Sequence, residues 1–175
     1  MKTLFRATAD FMAHVRRDLE RPHAFAHERV GFIAVRATTG REHLVLLAER
    51  YHPVADEDYI RDDTVGALIG QEALRKALEV ALLQSVGMFH VHAHFHPGKL
   101  WFSLTDLREQ ARFVPDFFSV RESMPHGALV LNHTDAAGRV WLSRTGISTI
   151  DEFDTIGAKV EVARGPSGPG TDFYV

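Results

Sequence analysis

Four histidines stand at alternate positions in the run His90-Val91-His92-Ala93-His94-Phe95-His96-Pro97, and Ser103-Leu104-Thr105-Asp106 follows closely behind it. On a β-strand successive side chains point to opposite sides, so these imidazoles project from one face. A strand made only for packing carries Val or Ile at such places, because a buried imidazole has a donor and an acceptor that both need partners. Histidines one residue apart are separated by about 7 Å along a strand, within reach of one ion. Asp106, one turn into a helix expected to start at Ser103, offers a carboxylate as third ligand at a place the free helix amides also favour. Two His and one Asp leave a tetrahedral zinc with its fourth position open to water, the layout of a catalytic site. Such a site also needs a general base and a donor that steadies an oxyanion.

The elements around this run have to aim it. Leu74, Leu78 and Leu82, with Arg75, Lys76 and Glu79 on other faces, predict an amphipathic helix over 65–86 that ends at Gly87 and feeds the histidine strand. Pro97-Gly98 closes that strand, and a second helix carrying Leu104, Leu107 and Ala111 runs from Ser103 to Pro115. Upstream, β-branched and aromatic residues over 29–38 and 43–51, split by Thr39-Gly40-Arg41-Glu42, predict a hairpin with Glu28 just before its first strand. A second hairpin is expected over 127–132 and 139–143 around Asp135-Ala136-Ala137-Gly138, and one more strand near 159–163. Leu4, Ala7, Phe11, Val15 and Leu19 predict an N-terminal helix over 1–22, and the acidic stretch 53–64 reads as a loop. Helix, hairpin, helix, strand, helix, hairpin without strict alternation favours a mixed α/β (α+β) sandwich over a doubly wound sheet.

At 175 residues the chain is read as one domain over 1–164, with a Gly/Pro-rich tail over 165–175. It has no cysteine, which excludes disulfides, thiolate metal sites and a cysteine nucleophile, so any metal must be held by His and carboxylate. A net charge of −3 with mixed signs gives no basic footprint for nucleic acid. Lys2, Arg6, Asp10, Arg16, Arg17 and Asp18 interrupt any apolar leader, and the apolar stretch 77–95 is broken by Glu79, Gln84 and the histidines. A cytoplasmic protein that does not enter a membrane is expected.

Together the pieces resemble the JAB/MPN domains that carry the JAMM metalloprotease motif. Glu28-Arg29-Val30-Gly31-Phe32 looks like the family's glutamate strand, His94-Phe95-His96-Pro97 like its histidine pair, and Ser103-Leu104-Thr105-Asp106 like its closing element. The resemblance covers 28–143. It implies a cytidine-deaminase-like sandwich, a mixed β-sheet flanked by helices. It further implies that His94, His96 and Asp106 bind Zn(2+), that Glu28 is the general acid/base, and that Ser103 helps stabilise the tetrahedral intermediate. The implied substrate is a peptide or isopeptide bond after the C-terminal tail of a ubiquitin-like or sulfur-carrier-like protein, with an E1-like activating enzyme system as companion. His96 and Asp106 enclose nine residues, one fewer than the family's usual spacing. The shifted register His92/His94 leaves eleven before Asp106 and takes the proline away from the pair, so His94/His96 is preferred.

Each motif also has a plainer reading. Ser103-x-x-Asp106 is a helix capping box by pattern, a role compatible with metal binding. His90 and His92 are read as neutral histidines satisfied nearby, with His92 the closer to the metal. Trp101 and Phe102 serve either an extended substrate tail or the core. Two other functions compete with the hydrolase: a non-catalytic MPN-like interaction scaffold, and a histidine-triad nucleotide hydrolase built on His90, His92 and His94.

Overall fold

The computed structural model describes residues 1–23, 26–62, 64–95, 99–157 and 160–164. In chain order these form β1 (Lys2–Thr8), α1 (Ala9–Leu19), β2 (Val30–Thr39), β3 (His43–Pro53), a 3-10 turn (Asp56–Asp58), α2 (Gln71–Gln84) and β4 (Gly87–Ala93). Then come α3 (Leu104–Phe113) with a 3-10 extension (Val114–Ser119), β5 (His126–Leu131), β6 (Ala136–Trp141), β7 (Ile147–Thr149), β8 (Glu152–Ile156) and β9 (Val160–Arg164). The strands make one nine-stranded sheet in the order β7-β6-β5-β4-β2-β3-β1-β8-β9. β1 runs parallel to β3 and β8, and β4 parallel to β5, while the other pairs are antiparallel. The chain is therefore a mixed α+β protein. Among the described residues no helix is long and apolar enough to cross a membrane.

Strand alternation sends the two faces of the sheet to different helices. Phe89, Val91 and Ala93 of β4 join Phe5, Ile33, Leu46 and Leu129 in a cluster closed by Met12, Val15 and Leu19 of α1. The other face carries Met88 with Val30, Phe32 and Ala34, and is covered by Ala73, Ala77 and Ala81 of α2 and by Phe117. The buried stripe of α2 is thus alanine, which lets the helix lie close to the sheet. Leu82 and Leu83, by contrast, are exposed. Further along that face Leu107 of α3 packs with Phe102 on Ala128, Val130 and Ala137.

Both expected hairpins are present, as β2/β3 and β5/β6, but the second turns earlier than expected: Ala136, Ala137 and Gly138, read as part of its turn, open β6 and pair with β5. The N-terminal helix over 1–22 is corrected: its first residues are β1, and the helix starts only after Thr8, whose hydroxyl accepts the Phe11 N–H at 3.2 Å. Leu4, Phe5 and Ala7 are buried within a strand paired on both sides. The second helix begins at Gln71, not 65, and ends at Ser85, which takes the left-handed conformation (φ 54°) expected of Gly87. Gly87 instead opens β4, where a Cβ would meet the Pro125 carbonyl. The strand expected near 159–163 is β9, and the tail 165–175 lies outside the described residues.

Candidate metal centre

β4 delivers His90 and His92 to the face covered by α2 and α3, and the His94 amide carries the pairing one step past the strand by donating to the Leu131 carbonyl at 2.8 Å. His92 and His94 therefore project to the same side. Their Nε2 atoms lie 3.2 Å apart, and each lies 3.5 Å from Asp106 Oδ2. Zinc donors at about 2.0–2.1 Å in a tetrahedron are about 3.3 Å from one another. The three edges match that figure.

Two of the three donors have a local cause for their orientation, whereas His92 Nδ1 is buried without a hydrogen-bond partner among the described residues. His94 Nδ1 is 3.2 Å from the Trp101 carbonyl, which only accepts, so Nδ1 carries the proton and the Nε2 lone pair of the neutral ring faces the triangle. Asp106 is held by a capping box: its Oδ2 accepts the Ser103 N–H at 2.7 Å, and the Ser103 hydroxyl accepts the Asp106 N–H at 3.1 Å. Burial pushes the Asp106 carboxyl up, but His92 and the Ser103 hydroxyl and amide outweigh it and hold the group well below the usual carboxylate range. The oxygen that closes the cap is the one that faces the two imidazoles.

Glu28 stands two residues ahead of Val30, which pairs with His92 across β2 and β4, and its Oε1 is 4.0 Å from His94 Nε2. Ligand atoms of Glu28, His92 and His94 all lie within 4.8 Å of one another, a group that could hold a metal ion. Between Glu28 and Val30, Arg29 is buried and reaches Asp56 at 2.7 Å and the carbonyls of Arg21 and Pro22 at 3.0 and 2.9 Å. That anchor fixes the approach of the strand.

Of the residues expected from sequence, Glu28, His94, Ser103 and Asp106 come together, while His96 lies outside the described residues. The position beside His94 is filled by His92, which was expected only nearby. His90 packs between the rings of Phe32 and Phe113 (centroids 5.6 and 5.3 Å), and burial pushes its pKa down to about 3; contrary to expectation, its Nδ1 has no hydrogen-bond partner among the described residues. Phe102 is buried in the core, whereas Trp101 touches the site through its carbonyl. Sequence reasoning missed Gly66, on which the Glu28 carboxylate rests.

No protein-family model matches this chain, and no curated protein does. Among solved structures it is similar to the Trichoplax adhaerens STIL N-terminal domain, with a TM-score of 0.40 and 8% identity over 78% of this chain and 41% of that one. The chain thus spans less than half of that neighbour, and a likeness at this level bears on neither fold family nor function.

Proposed function

We propose that this chain is a zinc-dependent hydrolase of the JAMM type, a JAB/MPN-like protein in which His92, His94 and Asp106 hold the metal and Glu28 is the general acid/base. The observation that supports it is the triangle of donor atoms with edges of 3.2, 3.5 and 3.5 Å and a glutamate oxygen 4.0 Å to one side. Its donor set of nitrogen and carboxylate oxygen suits zinc, and three protein ligands leave one position open. Zinc bound there supplies a water acidified to a pKa of about 7 and polarises a carbonyl. Glu28 takes the proton from the attacking water and hands it to the leaving amine. The Ser103 hydroxyl, which accepts the Asp106 N–H, turns its own proton to the carbonyl oxygen as charge develops there. The substrate proposed is a peptide or isopeptide bond after the extended tail of a ubiquitin-like or sulfur-carrier-like protein.

Elemental analysis of the parent, His92→Ala, His96→Ala and Asp106→Ala, purified alike, tests the ligand set. About one zinc per chain in the parent and in His96→Ala, with loss in the other two, is the expected result. Retention in His92→Ala with loss in His96→Ala would return the site to the register His94/His96. Glu28→Gln is expected to keep the metal and lose turnover.

A further inference from the structure

Residues 59–60 and 68–70 pair to form a neck. Tyr59 and Ile69 form a β-bridge, the Ile60 N–H donates to the Leu68 carbonyl at 2.8 Å, and the Gly70 N–H donates to the Asp58 carbonyl at 2.7 Å. At the far side of this neck Gly66 meets the chain ahead of β2. Its carbonyl accepts the N–H groups of both His27 and Glu28 at 2.9 Å. The hydroxyl of Tyr59, in the neck itself, accepts the Val30 N–H at 2.8 Å and lies 3.2 Å from the Val30 carbonyl, to which it donates. The neck and Gly66 together therefore grip the backbone on both sides of Glu28 and Arg29.

The side chain of Glu28 lies in the space that a larger residue 66 would fill. A Cβ at Gly66 would stand 2.7 Å from Glu28 Cδ and Oε2 and 3.0 Å from Oε1, and these are its three nearest neighbours. Gly66 is not in the left-handed region, so its backbone would accept a side chain without strain. A glycine here is thus set by the carboxylate and not by the turn.

We infer that Gly66 and the neck are the positioning platform of Glu28: the carbonyl fixes the backbone and the missing side chain leaves the carboxylate its place beside His94. This rests on the reading of Glu28 as the acid/base of a metal site, and it makes Gly66 a positioning residue. In Gly66→Ala the carboxylate must retreat by about 0.7 Å to reach ordinary contact at 3.4 Å. Misplacement of a reacting group by about 1 Å can cost about 100-fold in rate.

The test is geometric, so it does not depend on finding the substrate. Metal-free crystal structures of the parent and of Gly66→Ala are expected to show the Glu28 carboxylate displaced from His94, with His92, His94 and Asp106 unmoved. A carboxylate left in place overturns the inference. In parallel, protein carrying 13C-labelled glutamate carboxyls is loaded with Co2+, and the shifted Glu28 resonance is assigned by its loss in Glu28→Gln. The variant is expected to bind Co2+ with the parent's visible spectrum while that resonance moves towards its metal-free position. An unchanged resonance at full Co2+ occupancy also overturns the inference. Failure of the parent to take up Co2+ or zinc would defeat the metal reading, and the metal-free crystal structures still decide the role of Gly66. Should Gly66→Ala not fold, Tyr59→Phe decides: it keeps the ring and removes the bonds to Val30, and it is expected to shift Glu28 by a smaller amount.

Discussion

His126 and the pair His92/His94 lie on neighbouring strands and on the same face of the sheet, yet their nitrogens are treated in opposite ways. His126 on β5 accepts the Met88 N–H at Nδ1 (3.1 Å) and donates from Nε2 to the Arg121 carbonyl (2.9 Å), with Phe117 stacked on its ring. Both nitrogens are settled by the backbone. His92 and His94 instead bring their Nε2 atoms within 3.2 Å of each other, with a carboxylate oxygen 3.5 Å from both. Two imidazolium protons cannot share that space, whereas two lone pairs and a carboxylate can share a cation. A buried histidine whose bonds go to the backbone serves the fold; two imidazoles that converge on each other and on one carboxylate oxygen form a polar cluster of their own.

The contrast is broken most strongly by exchanging the effects of the two histidines. In the parent, zinc at about 1,000 times its Kd is expected to add about 4 kcal/mol, which raises Tm by about 8–16 °C. His92→Ala is expected to abolish that rise, in addition to lowering metal-free stability through the cavity its fully buried ring leaves. A zinc-dependent rise that survives in His92→Ala would show that His92 is no ligand.

His126→Ala should do the reverse. It leaves the Met88 N–H and the Arg121 carbonyl unpaired beneath two phenylalanines and opens a cavity. The expected cost is about 3–5 kcal/mol by denaturant unfolding, with the zinc shift retained.

The same residue gives a pH signature. Burial, opposed in part by the Arg121 carbonyl, pushes the His126 pKa down from 6.5 to about 4. The unfolded chain therefore binds this proton first as pH falls, so the stabilising effect of the neutral ring is complete above pH 6.5 and is lost between there and about pH 4. The acid limb of metal-free stability is expected to carry roughly 2–3 kcal/mol from this source. His126→Gln, which has no such proton to bind, should flatten the limb by that amount, and an unaltered limb would show that His126 is charged in the fold.

How much of this was legible in the sequence differs by element. The hairpins β2/β3 and β5/β6 were, because β-branched residues and a turn lie next to each other in the chain. β1 was not: Leu4 and Ala7 continue the helical spacing of Phe11, Val15 and Leu19, and its partners β3 and β8 are remote in sequence. That Glu28, His94, Ser103 and Asp106 come together was expected from the resemblance of their three motif pieces. His92 was expected only near the metal, because four histidines at equal steps in the sequence leave the register open; the structure brings His92 and His94 to Asp106, and His96 lies outside the described residues. Gly66 gave no signal, since its purpose is a contact made by a distant glutamate.

The smallest expected effect sharpens the comparison at its other end, where the capping oxygen faces the two imidazoles. Ser103→Ala removes the oxygen that accepts the Asp106 N–H but leaves the Ser103 N–H on Asp106 Oδ2. Loss of such a cap costs about 1 kcal/mol of stability. Because one of the two bonds that orient Asp106 survives, zinc affinity should fall within the roughly 10–100-fold range of an outer-shell change and the metal count should stay near one per chain at saturating zinc. Isothermal titration of the metal-free protein measures this directly. A loss as complete as in Asp106→Ala would mean that the hydroxyl, and not the amide, holds the carboxylate in line. An affinity equal to the parent's would assign the capping box to the helix alone and leave Asp106 held by the Ser103 amide.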